Sequence, residues 1–72
     1  MTVQTDYRAA LENRGWVLEK QLARGAISMK HPKYVFKFYL GSHGSLRKGQ
    51  TRSGSQAVGP RWFADFLDGL VG

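Results

Sequence analysis

The sequence predicts an α+β domain of order α-β-β-β-α, an antiparallel sheet of three strands with room for a fourth, carrying both helices on one face. Three observations predict it. Apolar residues recur at helical spacing near both ends of the chain, they alternate with polar ones across the middle, and glycine or proline punctuates the junctions. Strands with one apolar and one polar side need a cover on one face only, and two amphipathic helices supply it.

Near the N-terminal end Val3, Tyr7, Ala10 and Leu11 share one face of a helix over residues 4–14, with Thr2 or Thr5 as N-cap and Gly15 as the residue that stops it. Residues 16–22 then alternate. Trp16, Leu18 and Leu22 fall on one side and Val17, Glu19 and Gln21 on the other, the period of a half-buried strand. Arg24-Gly25 marks a turn. From the second strand Ile27 and Met29 point one way, Ser28 and Lys30 the other, and His31-Pro32 ends it because proline donates no ladder hydrogen bond. The third strand is expected over 33–40, where Tyr34, Phe36, Phe38 and Leu40 form an apolar row at the centre of the core. The open face would carry Glu19, Gln21, Ser28, Lys30, Lys33, Val35, Lys37 and Tyr39.

Residues 41–59 hold nine Gly or Ser, with Leu46, Ala57 and Val58 as their only apolar members. They read as a flexible basic segment, functional in itself or hiding a weak edge strand near 51–58, because long bare loops are uncommon in compact domains. Pro60 suits the first position of a second helix. There Trp62, Phe63, Phe66, Leu67 and Leu70 make a wide apolar stripe against Arg61, Asp65 and Asp68, and Gly69 marks its end.

At 72 residues the chain fits one domain, 1–72. A core of this size rarely supplies more than about 3 to 5 kcal/mol of net stability. With no cysteine there is no disulfide and no thiolate metal site, and no metal or other cofactor is expected. Asp65 and Asp68 lack a third carboxylate in reach. Residues 44–49 have two glycines and a lysine but not the strand-to-helix setting of a phosphate-binding loop. The absence of a long apolar run or leader-like segment points to the cytoplasm and away from a membrane.

Charge placement is the strongest functional signal. Eleven Lys and Arg face five Asp and Glu, a net charge of +6. Nine of the cations lie between Lys20 and Arg61 with no acid among them. Lys30, Lys33 and Lys37 would share the open sheet face with Tyr39, while Arg47, Lys48 and Arg52 decorate the Gly/Ser segment. Cations give sequence-independent affinity for phosphates through counterion release, and an aromatic among them can stack on an unpaired base. An acidic protein partner, or plain solubility, would account for the same charge. His43, beside Ser42, Ser45, Arg47 and Lys48, could act as a general base in phosphodiester cleavage, yet only His31 or Tyr39 is available as its partner.

The helix, strand, strand, strand, helix order is joined by Gly15-Trp16-Val17-Leu18, Gln21, Lys30-His31-Pro32 and Lys48-Gly49. In these features the chain resembles the HicA family over about residues 8–50. The resemblance implies a double-stranded-RNA-binding-domain-like fold and mRNA-interferase activity. That family's catalytic histidine follows Gly-Ser near the start of the second strand, where this chain has Gly25-Ala26-Ile27-Ser28. Gly41-Ser42-His43 repeats the tripeptide, but after the third strand. Residues 38–41 and 44–51 are also similar to small uncharacterised proteins of phages and other mobile elements. The expected function is a small, basic, non-catalytic nucleic-acid-binding module. A HicA-like ribonuclease and a phage or accessory protein docking an acidic host protein are the alternatives, with DNA versus RNA left open.

Overall fold

The computed structural model describes residues 3–69. Thr2, offered as a cap, and Leu70, assigned to the second helix's stripe, lie outside the described residues, as does the side chain of Val3. In chain order the elements are α1 (Val3–Glu12), β1 (Val17–Gln21), a 3-10 turn at Ala23–Gly25, β2 (Ile27–Lys30), β3 (Lys37–Leu40), β4 (Leu46–Gly49), β5 (Gln56–Ala57) and α2 (Pro60–Leu67). The strands form one antiparallel sheet whose spatial order is the chain order. The α+β class and the helical cover match the sequence expectation, whereas the sheet has five strands in place of three or four.

Gly15 does more than stop α1. It sits at φ +91, a region that side chains disfavour, and its amide donates to the Glu12 carbonyl (3.2 Å) while the Trp16 amide donates to that of Leu11 (3.0 Å). This pair of bonds is the Schellman arrangement, which brings the residue after the glycine against the last turn of the helix. Trp16 is thereby carried into the core beside Leu11, and both are buried.

The core lies between the helices and one face of the sheet. Register puts Ile27 opposite Leu40 and Met29 opposite Phe38, and Leu40 in turn opposite Leu46, so these side chains share the inner face. Phe38 is its centre. Its ring meets Trp16 at 4.8 Å, Phe66 at 5.4 Å, Phe36 at 5.6 Å and Phe63 at 5.7 Å between centroids. The helices touch each other through Tyr7 and Phe63 at 4.9 Å. Gln4 pins α1 to the strands by donating to the carbonyls of Gly25 (2.8 Å) and Leu40 (3.0 Å).

Three expectations need correction. The third strand starts at Lys37, not at 33, because residues after Pro32 turn: the Tyr34 amide donates to the His31 carbonyl (3.2 Å) and the Lys33 amide to His31 Nδ1 (3.0 Å). Tyr34 and Val35 are consequently exposed, at 39% and 78%, and only Phe36, Phe38 and Leu40 of the apolar row join the core. The 41–59 segment is no bare loop. The edge strand expected near 51–58 is present as the short β5, and the unexpected element is β4, paired along β3 from Leu46 to Gly49. Finally, the alternation of 16–22 breaks at Glu19, where a bulge shifts the pairing from Leu18 opposite Met29 to Lys20 opposite Ser28. A bulge inserts one extra residue and so reverses the facing of everything after it. Lys20 turns to the outer face and Gln21, opposite Ile27, to the inner one.

Candidate nucleic-acid interface

The outer face is built by register. Lys20 and Lys30 flank Ser28 on β1 and β2, Lys37 and Tyr39 follow on β3, and Arg47 lies opposite Tyr39 on β4. Ser28 is fully buried although it stands on this face. Its hydroxyl donates to Glu19 Oε1 (3.1 Å), and the Lys37 ammonium closes on Glu19 Oε2 (2.6 Å). The hydrogen bond from Lys37 is the main reason the Glu19 carboxyl titrates below its ordinary range, with partial burial opposing and Ser28 assisting. The same contact raises Lys37 above the usual lysine value.

A loop folds back over the opposite side of this face. Arg47 donates through Nε to Ser55 Oγ (2.8 Å) and through its terminal nitrogen to the Ser55 carbonyl (2.6 Å), while Ser55 Oγ donates to the Arg52 carbonyl (2.6 Å). Gly49 makes the approach feasible, since a Cβ there would stand 2.6 Å from Ser55 Cα. Between this loop and β1 runs a cleft of about 370 Å³ with Glu19, Lys20, Lys37, Tyr39, Thr51 and Arg52 in its walls. Among the described residues, Lys20, Lys30, Lys37, Arg47 and Arg52 thus gather on one side of the protein against a single carboxylate, Glu19.

The site residues expected from sequence divide accordingly. Lys30, Arg47 and Arg52 come together on the outer face. Lys37 lies there too but is compensated by Glu19. Tyr39 is on the expected face yet only 7% exposed, so it forms cleft wall and has no free ring face on which a base could stack. Lys33 leaves the set, because the turn after Pro32 carries it to the end of the sheet beside His31 and Arg14. Lys48 leaves it as well. Paired opposite Phe38, it points to the helix side, with Nζ 4.7 Å from the Phe36 ring centre and 5.2 Å from that of Trp62.

Lys20 is the cation that parity assigned to the wrong side. No residue type announces the bulge that turns it outward, whereas the inward facing of Lys48 was legible from Leu46, two residues before it on the same face. His43 is exposed in the turn between β3 and β4, with no hydrogen bond or ring contact among the described residues. Its suggested partners are elsewhere: Tyr39 is buried under the cleft and His31 lies beyond the far end of β2, tilted against Trp16 at 5.3 Å.

Only Arg8 and Lys37, of the eleven cations, are paired with carboxylates among the described residues, leaving nine without such a partner. No helix among those residues is long and apolar enough to cross a membrane. Comparison of the chain with family models, with curated proteins and with solved structures finds no match in any of the three.

Proposed function

We propose that the protein is a small, non-catalytic nucleic-acid-binding module of the cytoplasm, of a kind carried by phages and other mobile elements, which grips phosphates with the outer face of its sheet. The observation that supports this reading is the five-to-one excess of cations over carboxylates on that face, around a cleft open to solvent. The other acids among the described residues, Asp6, Glu12, Asp65 and Asp68, lie on or beside the helices. A polyanion therefore meets attraction on one side of the molecule and much less on the other.

With Lys37 compensated, Lys20, Lys30, Arg47 and Arg52 are left for phosphates. About four contacts give a slope of log affinity against log salt near about −3.6 on duplex and about −2.8 on single strands. A gel-shift panel over single-stranded and duplex DNA and RNA at two salt concentrations measures it. Replacing Lys20, Lys30 and Arg52 together by glutamate touches only exposed side chains. The fold should persist, by circular dichroism, while affinity falls for all sequences alike. Wild-type protein that shifts no nucleic acid even at low salt would sink this reading and favour an acidic protein partner. Cleavage of RNA that disappears in His43→Ala would instead identify a ribonuclease.

A further inference from the structure

A second cleft, of about 280 Å³, opens at the end of the sheet where β2 runs out, and it shares no lining residue with the Tyr39 cleft. Arg14, Trp16, His31, Lys33, Tyr34 and Phe66 stand in its walls. Each is placed by a device already described. The turn at Gly15 holds Arg14 between the helices, where Nε donates to the Leu67 carbonyl (3.4 Å) and a terminal nitrogen to that of Ala10 (3.1 Å). A guanidinium has five N–H donors, so most of them are left for a ligand. The Lys33 amide donates to His31 Nδ1, which fixes the imidazole and turns Lys33 and Tyr34 back over it. Tyr34 then lies nearly parallel to Trp16, 5.4 Å away with 13° between planes, yet 39% of it is exposed.

Among the described residues no carboxylate lines this cleft, and neither Arg14 nor Lys33 has one as partner. Two cations beside a supported, accessible ring fit a ligand that is anionic at one end and planar at the other. Arginine grips phosphate oxygens in pairs, and aromatic rings stack on bases of any identity. The volume falls just under the roughly 300 Å³ at which small-molecule sites begin, which suits one nucleotide unit and not a run of them. We propose that this cleft binds a single nucleoside monophosphate unit, free or at the end of a strand, its phosphate on Arg14 and Lys33 and its base on Tyr34. This proposal does not depend on the outer face.

Titration of the isotope-labelled full chain with adenosine monophosphate, adenosine and inorganic phosphate, followed by amide chemical shifts, tests it. The monophosphate should move the amides of residues 14–16, 31, 33 and 34 saturably, and each fragment should bind about tenfold more weakly, a difference of about 1.4 kcal/mol. Lys33→Gln should weaken the monophosphate and phosphate together, whereas Tyr34→Leu should remove the advantage of the monophosphate over phosphate. Both side chains are exposed, and the spectra report directly whether each variant is folded. A trinucleotide with a 5′-phosphate that binds more tightly than the free monophosphate identifies the strand end as the ligand, and equal affinity identifies the free nucleotide. Absence of shifts at these amides at about 5 mM ligand, or affinities unchanged in both variants, would overturn the proposal.

Discussion

Ser28 and Met29 are neighbours on β2, both fully buried, and they are buried by opposite means. Met29 faces inward to Phe38 and the aromatic cluster under the helices. Ser28 faces outward to the carboxylate of Glu19, which Lys37 also holds. One face of the sheet is closed by apolar packing, the other by a short polar chain and a loop folded over it. The contrast shows that an open polar face predicted from alternation need not be open. Among these cations Ser28 is enclosed as thoroughly as the leucines of the core and Tyr39 is buried as well, so the face offers its exposed lysines and arginines and withholds its ring.

Phe38→Ala bears most heavily on the comparison. Removing the ring at the centre of the inner face should cost about 3 to 5 kcal/mol, as much as a chain of this size has to lose. The variant should show no cooperative melt. A native-like transition would mean that the inner face does not carry the fold. Phe36, half-buried at the rim, should cost less when cut to alanine and leave a folded protein.

Gly49→Ala probes the closure of the outer face. The added methyl would meet Ser55 backbone, and overpacking of this kind costs about 1 to 3 kcal/mol. The expected result is a lower melting temperature with the β3–β4 amides still protected from hydrogen exchange and the 50–55 amides no longer so. Unchanged protection of 50–55 would show that the loop does not depend on this contact.

Ser28→Ala removes a buried hydroxyl that supports a carboxylate, a loss of about 1 to 3 kcal/mol. It should also raise the Glu19 pKa, read by carbon NMR. The pH dependence follows from the sign of the existing shift. Because the Glu19 pKa is lowered on folding, its contribution is present above the ordinary carboxylate value of about 4.3 and is lost as pH falls through the folded value. Lys37 is raised, so its share is complete below about 10.4 and fades above its folded value. Stability measured from pH 7 down to pH 2, on the order of five pH units, should fall less steeply in Glu19→Gln than in wild type. Equal acid limbs would remove the pair from the account.

Lys48→Met gives the smallest effect and the sharpest division between the faces. It loses a cation over two rings, about 0.5 to 1 kcal/mol, while keeping the stem that covers them. Nucleic-acid affinity should not change, in contrast to Lys20→Met. An equal loss of affinity in both variants would place Lys48 in the interface after all.

The sequence by itself determined the two helices, the stop at Gly15, the apolar pairs of β2 and β3, and the segregation of positive charge. All of these are local: a helix face or a strand face is a spacing, and a glycine at positive φ is a property of one residue. Only the tertiary structure decided that Lys20 faces outward, that Lys33 leaves the sheet, that Tyr39 is covered, and that residues 46–49 pair as β4 between β3 and the edge strand. The facing of Lys20, the cover over Tyr39 and the pairing of β4 depend on contacts with other strands and loops, and Lys33 leaves through a turn after Pro32 that strand alternation does not record. Strand alternation has a period of two, so one bulge or one early turn reverses or removes every later assignment, and no single residue records that it has happened.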